Sequence, residues 1–164
     1  DGSAAYYNVV FTLADKISAR SFPMPLPVIA SSAEEREMLQ AQAMVRPTLE
    51  LAARADVTFV GIGELGQDAP LCVDGFVTSE EMRELVEAGA VGEIVGWIFD
   101  AEGKLIEGKI NDRAASARLP SCESSKIIAS AMGSRKLPAI RAAVRGRLIN
   151  GLITDERTAE ALLK

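Results

Sequence analysis

Short runs of strand-forming residues alternate with amphipathic helical segments through most of this chain. Val57-Thr58-Phe59-Val60 predicts a buried parallel strand, and Ile127-Ile128-Ala129 predicts a second one. Thr78 with Glu81 predicts the start of a helix between them, and a further helix is expected over residues 138–145. This alternation favours an α/β fold with a largely parallel sheet, in which ligands bind beyond the carboxyl ends of the strands.

Helices are also expected before the first strand. Ser3 is the expected N-cap of an amphipathic helix, because the apolar residues after it recur at helical spacing: Tyr6, Val9, Val10, Leu13 and Ile17. The alternate prolines of residues 23–27 predict an extended connector. Two helices in tandem follow it, one starting at Ser31 or Ser32 with Glu34 and Glu35 as a capping-box pattern, the other with Pro47 in its first turn.

The remaining elements include a hairpin. Residues 93–99 predict one strand, and residues 100–103 a turn into a return strand around residues 104–106. Trp97 and Phe99 are expected in the core, with a hydrogen-bond partner for the indole N–H. Residues 148–153 predict a last strand, and Asp155 caps a final helix with an apolar side formed by Ala159, Leu162 and Leu163.

Length, charge and missing residue types narrow the function. The 164 residues suffice for one domain, and the net charge of −5 repels phosphate backbones, so this stretch is not expected to contact DNA. Histidine is absent, which excludes histidine-based triads and metal sites. Cys72 and Cys122 are expected to be buried thiols of a reducing cytoplasm. No apolar run approaches the roughly 18 residues of a membrane span, and Asp1-Gly2-Ser3 lacks the features of a signal peptide.

Three places at predicted strand ends carry groups suited to ligand binding. In residues 131–136, helix-start amides together with Lys136 suit an anionic or hydroxyl-rich ligand, although a glycine turn with solvated cations is the plainer alternative. Glu93, at the expected entry to its strand, is either a hydroxyl acceptor or general base, or simply an exposed acid. The third place, Gly61-Ile62-Gly63, lacks the third glycine and the following helix of a dinucleotide-binding fingerprint, so NAD binding is not expected there. The acidic run of residues 80–87 is expected to be a solvated helix face.

Several segments together resemble the SorC/DeoR-type sugar-binding transcriptional regulators. The likeness is carried by Ala131-Met132-Gly133-Ser134-Arg135-Lys136, by residues 139–143 and 152–159, by Val60-Gly61-Ile62-Gly63, by residues 89–100 and by residues 23–27, in the family's order. It covers nearly the whole chain, and the joint pattern is specific.

That resemblance implies a three-layer, Rossmann-like effector domain of the ribose-phosphate-isomerase and CoA-transferase-like fold, with a small β-hairpin. It implies a cytoplasmic homodimer or homotetramer that senses a sugar, polyol or sugar phosphate without a cofactor. Lys136 would contact a phosphate or hydroxyl and Glu93 would accept hydroxyl hydrogen bonds across the pocket. Gly61, Gly63 and Gly133 would line that pocket with backbone.

Some parts of the family pattern are missing from residues 1–164. The helix-turn-helix domain is absent, as are an early strand, glycine-rich loop and helix that cradle an effector phosphate, so the chain is expected to be part of a regulator that contacts DNA through another domain. Residues 64–77 contain no Lys or Arg, which favours a monophosphate, free sugar or polyol over a bisphosphate. Two alternatives stay open: a sugar-phosphate isomerase using Glu93 and Lys136 for proton transfer, and an oligomerisation module with a vestigial pocket.

Overall fold

The computed structural model describes residues 9–108 and 110–164. Its helices are α1 (Val9–Ile17), α2 (Ala33–Gln40), α3 (Arg46–Ala53), α4 (Pro70–Val73), α5 (Ser79–Glu87), α6 (Leu137–Arg145) and α7 (Glu156–Leu162). Its strands are β1 (Val57–Gly61), β2 (Gly63–Glu64), β3 (Ala90–Ile94), β4 (Trp97–Asp100), β5 (Lys126–Ser130) and β6 (Gly151–Ile153). Asn111–Arg113 and Ser134–Lys136 form 3-10 turns. Ser3 and Tyr6 lie outside the described residues, as does the side chain of Val9.

The helix starts follow the predicted capping chemistry. Ser32 caps α2 by accepting a hydrogen bond from the Glu35 N–H at 3.1 Å, and the Glu35 carboxylate accepts one from the Ser31 N–H at 2.6 Å. Thr78 and Glu81 form a reciprocal capping box at the start of α5. These contacts are local in sequence, which is why the pattern of Ser, Thr and Glu located the helix starts correctly.

Strands β1, β5 and β6 form a three-stranded parallel sheet with β5 in the centre. Val60 is in register with Ala129, and Ile128 with Gly151. One face of this sheet is closed by the buried side of α6, and their shared core includes Ile127, Ala129, Ile140 and Ala143. The fold is therefore the expected α/β arrangement with a mostly parallel sheet.

The expectation that β1 is a buried strand was wrong for most of its residues. Val60 is buried, but Phe59 is 68 % exposed and Val57 is exposed as well. The cause is the face on which each side chain lies: side chains alternate along a strand, so Val57 and Phe59 lie on the face opposite Val60, and the described residues leave that face open at β1. The same hydrophobic run would be buried on both faces only if a further layer covered it.

A second, antiparallel sheet is formed by β2, β3 and β4. The single strand expected over residues 93–99 is in fact a tight hairpin, because the chain turns at Val95 and Gly96, whose φ angles are +52° and +83°. Two successive positive φ values match the tight turns that suit the twist of a hairpin. The expected return strand at residues 104–106 is reduced to one bridge, between Phe99 and Leu105.

Trp97 and Phe99 are buried in the core, as predicted. The Trp97 indole N–H donates to the Ala117 carbonyl at 3.2 Å, which supplies the expected partner. Gly92 lets α6 approach β3 closely, since a Cβ at that position would lie 2.5 Å from the Ala139 Cβ.

The carboxyl-terminal part differs from expectation in its details. Strand β6 covers only Gly151–Ile153 of the predicted residues 148–153. Asp155 caps α7 as predicted by accepting from the Thr158 N–H at 2.7 Å, but Leu163 lies beyond the helix and is 89 % exposed. In both cases the apolar residues extend beyond the strand or helix itself: before the start of β6 and after the end of α7.

The cysteines and the acidic helix α5 differ in part from expectation. The two cysteines are free and half-buried rather than buried. Glu81 departs from the solvated acidic face of α5, because its carboxylate is half-buried and lies 2.9 Å from the Arg113 guanidinium. In the described ranges, no helix has the length and apolar character to cross a membrane, and no cluster of Cys, Asp and Glu side chains suits a metal ion.

Candidate ligand-binding site

Three of the predicted site residues, Gly61, Gly133 and Lys136, lie at or just beyond the carboxyl ends of the parallel strands β1 and β5, whereas Gly63 and Glu93 belong to the antiparallel sheet. Gly61 ends β1 and is in register with Ser130, the last residue of β5. From these two ends the chain leads into β2 and into the 3-10 turn of residues 134–136, which lie against each other. The Arg135 guanidinium and the Glu64 carboxylate, 2.6 Å apart, join the two segments. This is the edge at which ligands of parallel α/β sheets bind.

Glu93 lies within β3, one residue before its end, and not at the start of a strand as expected. It pairs with Gly63 of β2 on one side and with Ile98 of β4 on the other. The Glu93 side chain crosses the space above Gly63, where a Cβ would lie 2.8 Å from the Glu93 Cδ. Glycine at position 63 is therefore the condition for this placement of the carboxylate.

The environment of Glu93 favours its protonated form relative to an exposed glutamate. Burial raises the pKa of Glu93, and two opposing effects are smaller: a hydrogen bond from the Gly96 N–H to Oε2 at 2.7 Å and the positive charge of Lys136. An ionised Glu93 accepts hydrogen bonds, and a protonated one also donates, so the group suits ligand hydroxyls in either state.

Lys136 is half-buried at the end of the 3-10 turn, directly before α6. Its ammonium group makes no ion pair with any described residue. Its neighbour Arg135, by contrast, already pairs with Glu64. Among the described cations of this turn, Lys136 is thus the one whose charge is available to an anion or hydroxyl group.

The three predicted glycines occupy different positions around Glu93 and Lys136. Gly63 lies directly beneath Glu93, whereas Gly61 lies at an open edge where a Cβ would meet no atom within 4 Å. Gly133 has a φ of +105°, its N–H donates to Thr158 Oγ1 at 2.9 Å, and its carbonyl accepts from the Lys136 N–H at 3.1 Å. Gly133 thus shapes the turn that positions Lys136, and contact of its backbone with a ligand stays a prediction.

Sequence reasoning missed two contributors to this site. Gly96, in the hairpin turn, holds the Glu93 carboxylate, and Arg135 anchors β2 through Glu64. The role of Gly96 could be predicted only if the hairpin turn were known, and the pattern of residues 93–99 did not indicate a turn. The second had a signal in the adjacent cations of Gly133-Ser134-Arg135-Lys136, of which only Lys136 was singled out.

Comparison with known proteins places these features in a family. All 164 residues match the family model described as "Putative sugar-binding domain". The chain is 37% identical over 157 residues to the erythritol catabolism regulatory protein EryD of Brucella abortus, an alignment covering 96% of this chain and 50% of that protein. It is also 37% identical over 144 residues to the transcriptional regulator LsrR of Klebsiella pneumoniae, covering 85% of this chain and 45% of that protein.

Solved structures agree with the sequence comparison. The full-length sorbitol operon regulator SorC of Klebsiella pneumoniae superposes with a TM-score of 0.83 at 26% identity, covering 94% of this chain and 50% of that chain. A DeoR family transcriptional regulator of Listeria monocytogenes superposes with a TM-score of 0.84 at 25% identity, covering 93% and 62%. The chain spans about half the length of the curated relatives it matches.

Proposed function

Since the chain belongs to the sugar-binding domain family of bacterial transcriptional regulators, we propose that it senses a sugar, polyol or sugar phosphate through Glu93 and Lys136. The proposal rests mainly on the half-buried Glu93 carboxylate, which lies over Gly63. Glu93 is also close enough to Lys136 for the lysine charge to lower its pKa, and Lys136 forms no ion pair with a described residue. The Glu93 carboxylate can accept hydrogen bonds from the hydroxyl groups of such effectors, and the Lys136 ammonium can bind a hydroxyl or phosphate group.

The charges around this site favour an effector with at most one phosphate. Arg135 is engaged by Glu64, and residues 64–77 contribute no Lys or Arg. Lys136 therefore supplies the available positive charge among the described residues of this edge, and a second phosphate would lack a charge-assisted partner. The name of the Brucella relative refers to erythritol, a polyol, which is consistent with this preference.

Control of DNA binding by the effector would need parts of the regulator outside residues 1–164. Residues 1–164 correspond to about half of each curated relative, and the acidic charge of −5 disfavours contact with DNA. We infer that a helix-turn-helix domain and a phosphate-binding segment belong to the remainder of a cytoplasmic, homodimeric or homotetrameric regulator. Effector binding would act by shifting the population of its oligomeric arrangements.

An enzymatic role is the second candidate, because the raised pKa of Glu93 beside a lysine suits proton transfer on an aldose phosphate. The relatives are named as regulators, which favours sensing without catalysis. Turnover of ribose 5-phosphate that is abolished by Glu93→Gln would support the enzyme. No turnover at high protein concentration would leave the sensor as the better account.

A thermal-shift screen tests the sensor directly, because a ligand that binds only the folded state raises the melting temperature by mass action. The panel contains sugars, polyols and their phosphates, and the protein is compared with its Lys136→Ala variant. A selective shift that is lost in the variant supports the proposal. Equal shifts in both proteins, or none with any compound, would contradict it.

A further inference from the structure

A second cavity lies on the opposite side of the β3–β4 hairpin from Glu93. In that hairpin Ile94 pairs with Trp97 and Glu93 pairs with Ile98. Because paired residues share a face and successive residues alternate, Trp97 and Glu93 lie on opposite faces. Trp97 lines a cavity of about 380 Å³ that also contains Arg36, Gln40 and Ser116.

The charge of this cavity is unusual for an acidic protein. Of the described residues that line it, the charged ones are Arg36 and Arg118, although the chain as a whole carries a net charge of −5. The carboxylates of Glu107 and Asp112 line an adjoining cavity of about 670 Å³, which shares both arginines. Neither carboxylate forms an ion pair with either arginine.

Both guanidinium groups have unused hydrogen-bonding capacity. The Arg36 Nε is buried and has no hydrogen-bond partner, and the ion pair of this side chain with the adjacent Glu37 spans 3.5 Å. Arg118 lies over the Trp97 ring at 4.5 Å and forms no ion pair with a described residue. The Arg36 Nε has no exposed surface to offer a ligand, but 24% of the Arg36 side chain is exposed and Arg118 is exposed as well, so a ligand would bind the other N–H groups of the two guanidiniums.

We propose that this cavity, named here the Arg36–Arg118 cavity, binds the oxyanion head group of a small molecule, a phosphate or a carboxylate. Guanidinium groups bind both through paired N–H donors. The Gln40 amide donates one N–H to the Ala115 carbonyl, which leaves its second N–H as a donor for the head group. The Ser116 hydroxyl donates to the Val95 carbonyl, so its oxygen suits a hydroxyl group of the same molecule. The adjoining acidic cavity gives room for a hydroxylated remainder of the same molecule. This site is separate from the proposed effector site and does not depend on it.

Trp97 is the chain's one tryptophan, and its fluorescence therefore reports on this cavity. The protein is titrated with inorganic phosphate, and in parallel with gluconate as a carboxylate, at an ionic strength held constant with NaCl. We expect a saturable change for at least one of the two anions, and the stronger response identifies the preferred head group. No response beyond that of NaCl for either anion would overturn the proposal.

Variants locate the binding. Arg118→Gln, in an exposed loop position, is expected to raise the dissociation constant by roughly tenfold, as is Arg36→Gln. Arg54→Gln, at an arginine whose side chain is 78% exposed and outside the cavity, serves as the matched control and should bind as the parent does. Because Arg118 touches the fluorophore, phosphorus-31 relaxation provides a second readout. Unchanged affinity in Arg118→Gln, or an equal loss of affinity in Arg54→Gln, would refute this location.

Discussion

The Glu93 carboxylate occupies the space that a side chain at position 63 would fill, since a Cβ on Gly63 would lie 2.8 Å from the Glu93 Cδ. The two residues face each other across the β2–β3 pairing. The Glu93 carboxylate can thus take this position only because residue 63 has no side chain. Changes at Gly63 and Glu93 should consequently affect ligand binding together.

Gly63→Ala tests this relationship. Since the atoms in conflict are the flexible end of Glu93, we expect a loss of about 1 kcal/mol or less in unfolding free energy, but displacement of the carboxylate and roughly tenfold weaker effector binding. Gly61→Ala is the matched control for stability, because a Cβ there meets no atom of the protein within 4 Å. Denaturation and calorimetric titration measure both effects. Full affinity in Gly63→Ala would contradict the assigned placement.

The stability of the protein should depend on the ionisation of Glu93. Burial raises its pKa above the ordinary value of 4.5, so the folded state binds this proton more tightly than the unfolded state. The resulting stabilisation is complete below the unfolded pKa and is lost as the pH rises through the folded pKa.

Glu93→Gln cannot ionise and keeps an oxygen that accepts from Gly96. Its stability relative to the parent protein should therefore increase as the pH rises from 4 to 8, as followed by urea denaturation. A stability difference that stays constant or shrinks over this interval would show that Glu93 is not held in the environment described above.

The charge of Lys136 lowers the pKa of Glu93 against the larger effect of burial. Lys136→Ala should therefore raise the pKa of Glu93 further, which carbon-13 NMR titration of the carboxyl group measures. Lys104→Ala, at an exposed position, should leave the pKa unchanged. Equal pKa values in the Lys136→Ala variant and the parent would place the two groups too far apart to share a ligand.

Asn111 joins β4 to the chain segment that follows it. Its side chain accepts from the Ile98 N–H at 2.8 Å and donates to the carbonyls of Ile98 at 2.8 Å and Ile106 at 2.6 Å. Asn111→Ala removes the side-chain partner of the Ile98 N–H and of the Ile106 carbonyl, while the Ile98 carbonyl keeps its bond from the Ile106 N–H at 3.0 Å. The variant should lower the unfolding free energy by about 2–4 kcal/mol. The exposed neighbour Asp112, replaced by Ala, should change it little. Urea denaturation of the two variants provides the comparison.

The sequence predicted features that depend on neighbouring residues better than features that depend on distant ones. The caps at Ser32, Thr78 and Asp155 were located correctly because their hydrogen bonds span three residues. The turn at Val95 was missed, because a β-branched residue with a positive φ gives no turn signal in the pattern. The exposure of Phe59 was missed because it depends on which elements cover that face of the sheet, and these are distant in the sequence.

The candidate site divides in the same way. The resemblance to a family indicated Glu93 and Lys136, and strand ends are where such residues are expected. The contacts that position them, from Gly96 and through the Arg135–Glu64 ion pair, join segments far apart in the sequence or depend on the unpredicted hairpin. The adjacent cations Arg135 and Lys136 mark the turn, but nothing in the local sequence indicates that Arg135 pairs with Glu64.

The central claim is that Glu93 and Lys136 bind one hydroxylated effector. Its most direct test is calorimetric titration of the strongest ligand from the thermal-shift screen into the parent protein and into Glu93→Gln, Lys136→Ala and Lys104→Ala variants. The account predicts single-site binding that weakens roughly tenfold or more in the first two variants and is unchanged in the third. Binding of equal strength in all four proteins would contradict it.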